Sequence, residues 1–208
     1  MIDTNVRFDR FDEPFTHYTT GPVIPSQDLK RLNAELPAED LYRRQVKEGR
    51  EFDKNYQMWL FDLAEDSLRL PATERLPQAW SELVDSLLSK EFTEWASDGL
   101  GIDLAACPLT LGLYRYGDRD YTTVSTAKLT KAMHWALYLN EDWAPEFGGR
   151  LNLWSARDAA EPAVEITPAG GTCAMFAPTE HTWHNIGKVT TGGQVERLTI
   201  MLEYWKPE

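Results

Sequence analysis

The chain has 208 residues, 42% of them hydrophobic, which is enough for one domain with a sizeable core. Its 33 acidic residues outnumber the 21 basic ones, and a net charge of -12 argues against nucleic acid or an anionic membrane as partner, because phosphates are met by clustered Lys and Arg. No apolar run approaches the roughly 20 residues that span a bilayer. The opening Met1-Ile2-Asp3-Thr4-Asn5-Val6-Arg7 lacks the basic and apolar regions of a signal peptide, so a cytoplasmic location is expected.

Up to residue 104 the pattern reads as mostly helical. Ser26 is placed to cap a short helix with Leu29, Leu32 and Leu36 on one face, stopped by Pro37. Residues 41–50 are strongly charged and expected to be exposed. Residues 56–63 fit a strand or a buried helical turn, and periodicity does not choose between them. The clearest helix is predicted over 77–95: Trp80, Leu83, Val84, Leu87 and Leu88 recur at helical spacing, with Phe92 and Trp95 extending the stripe. Pro77 suits its first turn, and Gly99 and Gly101 mark its end.

From Cys107 on, short strands alternate with turns. Strands are expected at 109–116, 133–140, 151–154, 163–167, 172–176, 184–186 and 195–205, with turn signals at Gly148-Gly149, Gly170-Gly171 and Gly192-Gly193. That spacing implies a sandwich or jelly roll. The expected architecture is a single mostly-β domain over 1–208, with a helix-rich N-terminal part (1–104) buttressing a jelly-roll core (105–208). Cys107 and Cys173 are the only cysteines, which excludes a disulfide framework or a Cys-based metal site; buried reduced thiols are the ordinary expectation. No P-loop, Gly-rich dinucleotide turn or Gly-x-Ser-x-Gly turn occurs.

The central strand, residues 131–140, sets Met133, Trp135, Leu137 and Leu139 on one face and His134, Ala136 and Tyr138 on the other. The second face carries no Lys, Glu or Thr, which suits a pocket better than solvent. In the last strand Arg197, Thr199 and Met201 share one face, and Leu198, Ile200 and Leu202 the other. Arg197 either forms a surface ion pair with Glu196 or Glu203 or grips a carboxylate inside a pocket. His184, next to Trp183, is either packed in the core or a ligand-binding group.

These residues add up to a resemblance. Tyr138-Leu139-Asn140-Glu141-Asp142-Trp143, Gly148-Gly149-x-Leu151, Trp183-His184 and Arg197-x-Thr199, in that order, resemble the Fe(II)/2-oxoglutarate-dependent oxygenases, and within them the prolyl hydroxylases. Pro14-Phe15-x-His17 and the helix after it also fit. The resemblance covers residues 109–205 and implies a double-stranded β-helix, the cupin-like jelly roll. It implies that His184 is the distal metal-binding histidine, that Arg197 and Tyr138 with Thr199 grip the far carboxylate of 2-oxoglutarate, and that His134 and Ala136 face the cofactor.

The family's first element, His-x-Asp, has no counterpart between Gly117 and Lys131. Counting back from Tyr138 sets Ser125-Thr126-Ala127 in its place; counting forward from Gly117 sets Thr123-Val124-Ser125 there. Ferrous iron in this family is held by two His and one carboxylate, so iron binding in the family manner is not expected and no cofactor is expected. The chain then reads as an enzyme that catalyses a redox-neutral acid–base step (cyclisation, elimination, isomerisation or hydrolysis) on a small carboxylate or carbonyl metabolite, in the setting of secondary metabolism. His134, His184 and Tyr138 are the expected catalytic residues, with Ser125, Ala127, Ala136, Trp183 and Met201 lining the pocket. One alternative is an oxygenase using Fe(II) and 2-oxoglutarate with rearranged ligands, His184 and His134 joined by Asp118, Asp120 or Glu203. Another is a non-catalytic binding or scaffold protein. His17 and His181 are expected to be structural or superficial. Trp59, Trp135, Trp154 and Trp183 suit a flat or apolar ligand, or simply the core.

Overall fold

The computed structural model describes residues 1–50 and 53–207. In chain order the elements are β1 (Phe8–Phe11), β2 (His17–Thr20), α1 (Ser26–Ala34), β3 (Arg43–Lys47), β4 (Tyr56–Glu65), β5 (Leu68–Arg69), α2 (Gln78–Leu87) and α3 (Lys90–Leu100). There follow β6 (Leu109–Tyr116), β7 (Tyr121–Thr122), β8 (Lys131–Tyr138), β9 (Leu151–Trp154), β10 (Val164–Ile166), β11 (Cys173–Phe176), β12 (Trp183–Ile186) and β13 (Arg197–Trp205). One antiparallel sheet runs β1-β2-β11-β8-β13-β6-β4-β3, with β5 and β7 also on β4; a second runs β10-β9-β12. Residues from both sheets share one apolar cluster, including Ala136, Tyr138 and Phe176 from the large sheet and Leu151, Leu153 and Ile186 from the small one. This is the expected mostly-β jelly roll with helices against it.

The helices cover the other face of the large sheet. Met133, Trp135 and Leu137 of β8 and Leu198, Ile200 and Leu202 of β13 pack in the same cluster as Trp80, Leu83, Leu87 and Phe92. Trp135 is fully buried, with its ring 5.3 Å from that of Phe92 and 5.8 Å from those of Phe8 and Trp95. The period-2 split seen in the sequence of β8 is thus a split between a helix-covered core and the space between the sheets.

Several expectations about the helices need correction. The helix predicted over 77–95 is two helices, because Ser89 adopts extended backbone and its Oγ accepts the Phe92 N–H at 3.1 Å, starting a new helix with a side-chain cap. Gly101, in the left-handed region at φ 65°, ends the second; Gly99 lies inside it, where a Cβ would come within 2.1 Å of the Phe8 ring. Ser26 is the first residue of α1 and makes no capping bond, and Leu36 lies beyond the helix end, exposed.

The N-terminal part is also less helical than its sequence suggests. Residues 56–63 form strand, and they hide their periodicity because Met58 faces one cluster while Phe61 and Leu63 face the other. The charged stretch after Leu41 is the edge strand β3, whose exposed Arg43, Arg44 and Lys47 make it a poor template for further pairing. Through β2 on β11 and β4 on β6, the first part of the chain extends the same sheet as the second. No helix among the described residues is long and apolar enough to cross a membrane.

A candidate active site between the sheets

Two neighbouring strands present the site residues as a ladder. In their register His134 of β8 lies opposite Glu203 of β13, Ala136 opposite Met201, and Tyr138 opposite Thr199. At about 3.3 Å per residue, His134 and Tyr138 are about 13 Å apart along the strand. His134, Ala136, Met201 and Glu203 line a cavity of about 330 Å³, which His184 and Ala127 also line. Wider clefts of about 660 and 600 Å³ open beside Trp95 and Tyr121, but neither is lined by a histidine.

The two imidazoles meet across this cavity, with ring centroids 5.3 Å apart and the Phe176 ring against both. His184 Nδ1–H donates to the Thr182 carbonyl at 2.9 Å, which leaves the Nε2 lone pair free. Burial, with His134 beside it, pushes the His184 pKa down to about 3. Burial also lowers that of His134, against the opposing charge of Glu203. His134 Nδ1 stands 3.5 Å from Glu203 Oε1, and no closer partner satisfies it. Burial acts to raise the Glu203 carboxyl, but His134 and an ion pair with Lys131 outweigh it and hold the pKa at about 2.

These shifts fix the sign of a pH effect. Below pH ~6.5 the unfolded chain protonates both histidines while the folded state keeps His184 neutral down to about pH 3, so stability is complete above 6.5 and falls as pH drops toward 3. Each group contributes a slope of up to ~1.4 kcal/mol per pH unit. Urea unfolding is therefore expected to show ~1–2 kcal/mol less stability at pH 5.5 than at pH 7.5, and the double variant His134→Gln/His184→Gln should lose most of that difference. An identical pH dependence in the variant would refute the assignment.

Deeper along the ladder stands Arg197, with no exposed surface at all. Its Nη1 donates to Thr199 Oγ1 at 2.7 Å, and its guanidinium lies between the rings of Tyr116 and Tyr138, 5.2 Å from each centroid. Arg197 Nε and Nη2 and the Tyr138 hydroxyl are buried without a partner. The surface ion pair considered for Arg197 does not form, because Glu196 is taken by Arg115 and Glu203 by Lys131. Burial lowers the Arg197 pKa, with Tyr138 and Tyr116 opposing; burial raises Tyr138 and Tyr116 to about 12, so both phenols are neutral. Buried donors left open in this way cost about 1–3 kcal/mol each and suit a two-oxygen anion. Arg197, Tyr138 and Thr199 are not on the wall of the 330 Å³ cavity; Tyr116, which is on that wall, covers the guanidinium.

The other predicted residues are scattered. Ser125 pairs with His184 through the backbone in both directions at 3.0 Å but, like Trp183, is off the cavity wall. Trp183 sits on the opposite side of β12 from His184, with the Arg157 guanidinium 5.8 Å from its ring. Asp120 is buried in a two-pronged pair with Arg44 at 2.6 and 2.7 Å, and Asp118 accepts the Gly192 N–H; neither lines the cavity. His17 is buried, its Nδ1–H donating to the Phe15 carbonyl, and His181 is exposed. Cys173 is buried and Cys107 half-buried, both as free thiols.

Sequence reasoning missed Lys131 and Tyr116. It saw Glu203 only as a spare carboxylate, although the odd-numbered face of β13 that holds Arg197 and Thr199 leads directly to it. Lys131 is hidden by a bulge: Tyr204 pairs with Met133 but Trp205 with Lys131, so Ala132 is an extra residue and Lys131 swings to the His134 side.

Residues 112–205 match the family model described as the 2OG-Fe(II) oxygenase superfamily. No curated protein matches the sequence. Among solved structures, a Pseudomonas putida prolyl-4-hydroxylase aligns with a TM-score of 0.63 at 18% identity, covering 92% of this chain and 93% of that one. AviO1 from Streptomyces viridochromogenes Tue57 aligns at 0.57 and 16%, covering 92% and 90%. SnoN, a non-heme alpha ketoglutarate dependent epimerase from nogalamycin biosynthesis, aligns at 0.58 and 12%, covering 91% and 78%. Residues 112–205 thus match the 2OG-Fe(II) oxygenase superfamily model, and the chain shares its double-stranded β-helix fold with these solved structures.

Proposed function

We propose that the chain is an enzyme built on the oxygenase fold that moves protons on a small carboxylate- or carbonyl-bearing metabolite without net oxidation. The observation that carries this is the pairing of an anion grip with an incomplete donor set. Arg197 and Tyr138 offer buried, unpartnered polar atoms that fit the carboxylate of 2-oxoglutarate or a similar acid. The other end does not fit a ferrous ion. Next to His184 the backbone presents Ser125, the cavity wall beyond it is Ala127, and among the described residues no three His, Cys, Asp or Glu side chains form a group able to hold a metal. This placement supports the register that counts back from Tyr138.

The chain's own groups divide the work. His134, neutral and backed by the Glu203 carboxylate, accepts a proton from carbon next to the substrate carbonyl, and Glu203 steadies the imidazolium that results. The Lys131 ammonium, on the same cavity wall, stabilises the charge that develops on the carbonyl oxygen. His184 accepts a hydrogen bond at Nε2, because its only proton is committed to Thr182. Return of the proton from His134 to a different face or atom gives epimerisation or isomerisation, and loss of a leaving group gives elimination. SnoN, described as an epimerase of nogalamycin biosynthesis, supports a setting of small-metabolite chemistry for this architecture.

The kept Arg197–Tyr138 grip favours one second reading, an oxygenase with rearranged ligands. A single experiment separates the two: C–H exchange of 2-oxo acids in deuterated water, followed by NMR with and without chelator. Exchange that persists in EDTA, with substoichiometric iron after anaerobic loading and no succinate formed, is the expected result. Stoichiometric iron with turnover of 2-oxoglutarate to succinate would establish the oxygenase instead.

A further inference from the structure

In a chain with a net charge of -12, the cavity wall reverses the sign: it is lined by Lys54, Lys128 and Lys131 and by one carboxylate, Glu203. Lys131 is buried and neutralised by Glu203. Lys54, just ahead of β4, and Lys128, ahead of β8, are exposed, and neither forms an ion pair with a carboxylate among the described residues. The Trp205 ring lies under both Lys128 and Lys131, 5.5 and 5.1 Å from their ammonium groups, and so brings them to one place. Among the described residues, three ammonium groups less one carboxylate leave two positive charges facing a cavity of about 330 Å³. Low-dielectric walls around such a charge pair focus its field on whatever enters.

We infer that the substrate carries a dianionic group of the phosphate-monoester type, held at the open end of the cavity between Lys54 and Lys128. This rests on the reading of that cavity as the substrate site. Two uncompensated charges match a phosphate monoester, which is close to doubly charged at pH 7 because its second pKa is about 6. A single carboxylate would leave one ammonium unanswered.

Calorimetric titration of the whole chain with inorganic phosphate, glycerol 3-phosphate and acetate, at constant ionic strength, tests the inference. Inorganic phosphate and glycerol 3-phosphate are expected to bind saturably at one site, about tenfold more weakly in Lys54→Met and in Lys128→Met, while acetate shows no saturation. Phosphate affinity should also fall from pH 8 to pH 5.5 as the anion takes up its second proton. Equal phosphate affinity in the double variant Lys54→Met/Lys128→Met and the unaltered chain overturns the site. Binding of inorganic phosphate with exclusion of glycerol 3-phosphate overturns the substrate class. Because these titrations require no turnover, lysine-dependent phosphate binding without C–H exchange would leave the anion site standing and defeat only the acid–base reading.

Discussion

Replacing Arg197 with Met is expected to weaken binding of carboxylates roughly a hundredfold or more while leaving the ligand-free protein as stable as before, or more so. The guanidinium is wholly buried, faces no carboxylate and has two nitrogens without partners, so folding desolvates a charge and regains one hydrogen bond to Thr199 and the faces of two phenols. Exchange of such a group for an apolar one of similar volume is commonly neutral or stabilising, by ~1–4 kcal/mol. The lost bonds to a bound carboxylate, each worth about 1.5–3 kcal/mol because donor and acceptor are charged, predict roughly a hundredfold loss of affinity or more. Titration with a 2-oxo acid and its neutral amide, beside thermal melts of both proteins, reads both effects. Destabilisation of ~3 kcal/mol or more would make Arg197 a structural element, and equal weakening of acid and amide would remove its role as an anion grip.

The His134→Gln variant should retain the fold and lose about 10²–10⁴-fold in the rate of C–H exchange, the usual contribution of a positioned base. Glu203→Gln should lose less and move the profile. The Glu203 charge holds the His134 pKa up against burial, so its neutralisation drops that pKa further and shifts the acidic limb of kcat/KM to lower pH. A limb that stays in place, or moves to higher pH, would show that Glu203 does not act through His134. Lys131 must be watched in this variant, because it loses its ion-pair partner on a buried wall.

Much of this was legible in the sequence where side-chain alternation is strict. β6 and β9 have the expected limits, and β8 and β13 have the expected faces, because strands with one face under the helices and one between the sheets must alternate. The same alternation brought His134, Ala136 and Met201 to one cavity. It failed for β4, where buried apolar residues fall on each face, and at Ser89, where one hydroxyl divides an otherwise continuous apolar stripe into two helices.

The sequence by itself determined the strand-rich class, the two faces of the central strand, and the absence of a His-x-Asp pair from the stretch ahead of it, since these follow from residue types and a period of two. Only the tertiary structure decided which polar groups meet: that Arg197 is sealed between two tyrosines, that Glu203 stands behind His134, and that a bulge at Ala132 turns Lys131 inward to join Lys54 and Lys128. Local pattern reports the side of a strand on which a residue lies. Which groups share a buried volume depends on pairing register and on one extra backbone residue, and neither leaves a mark on composition.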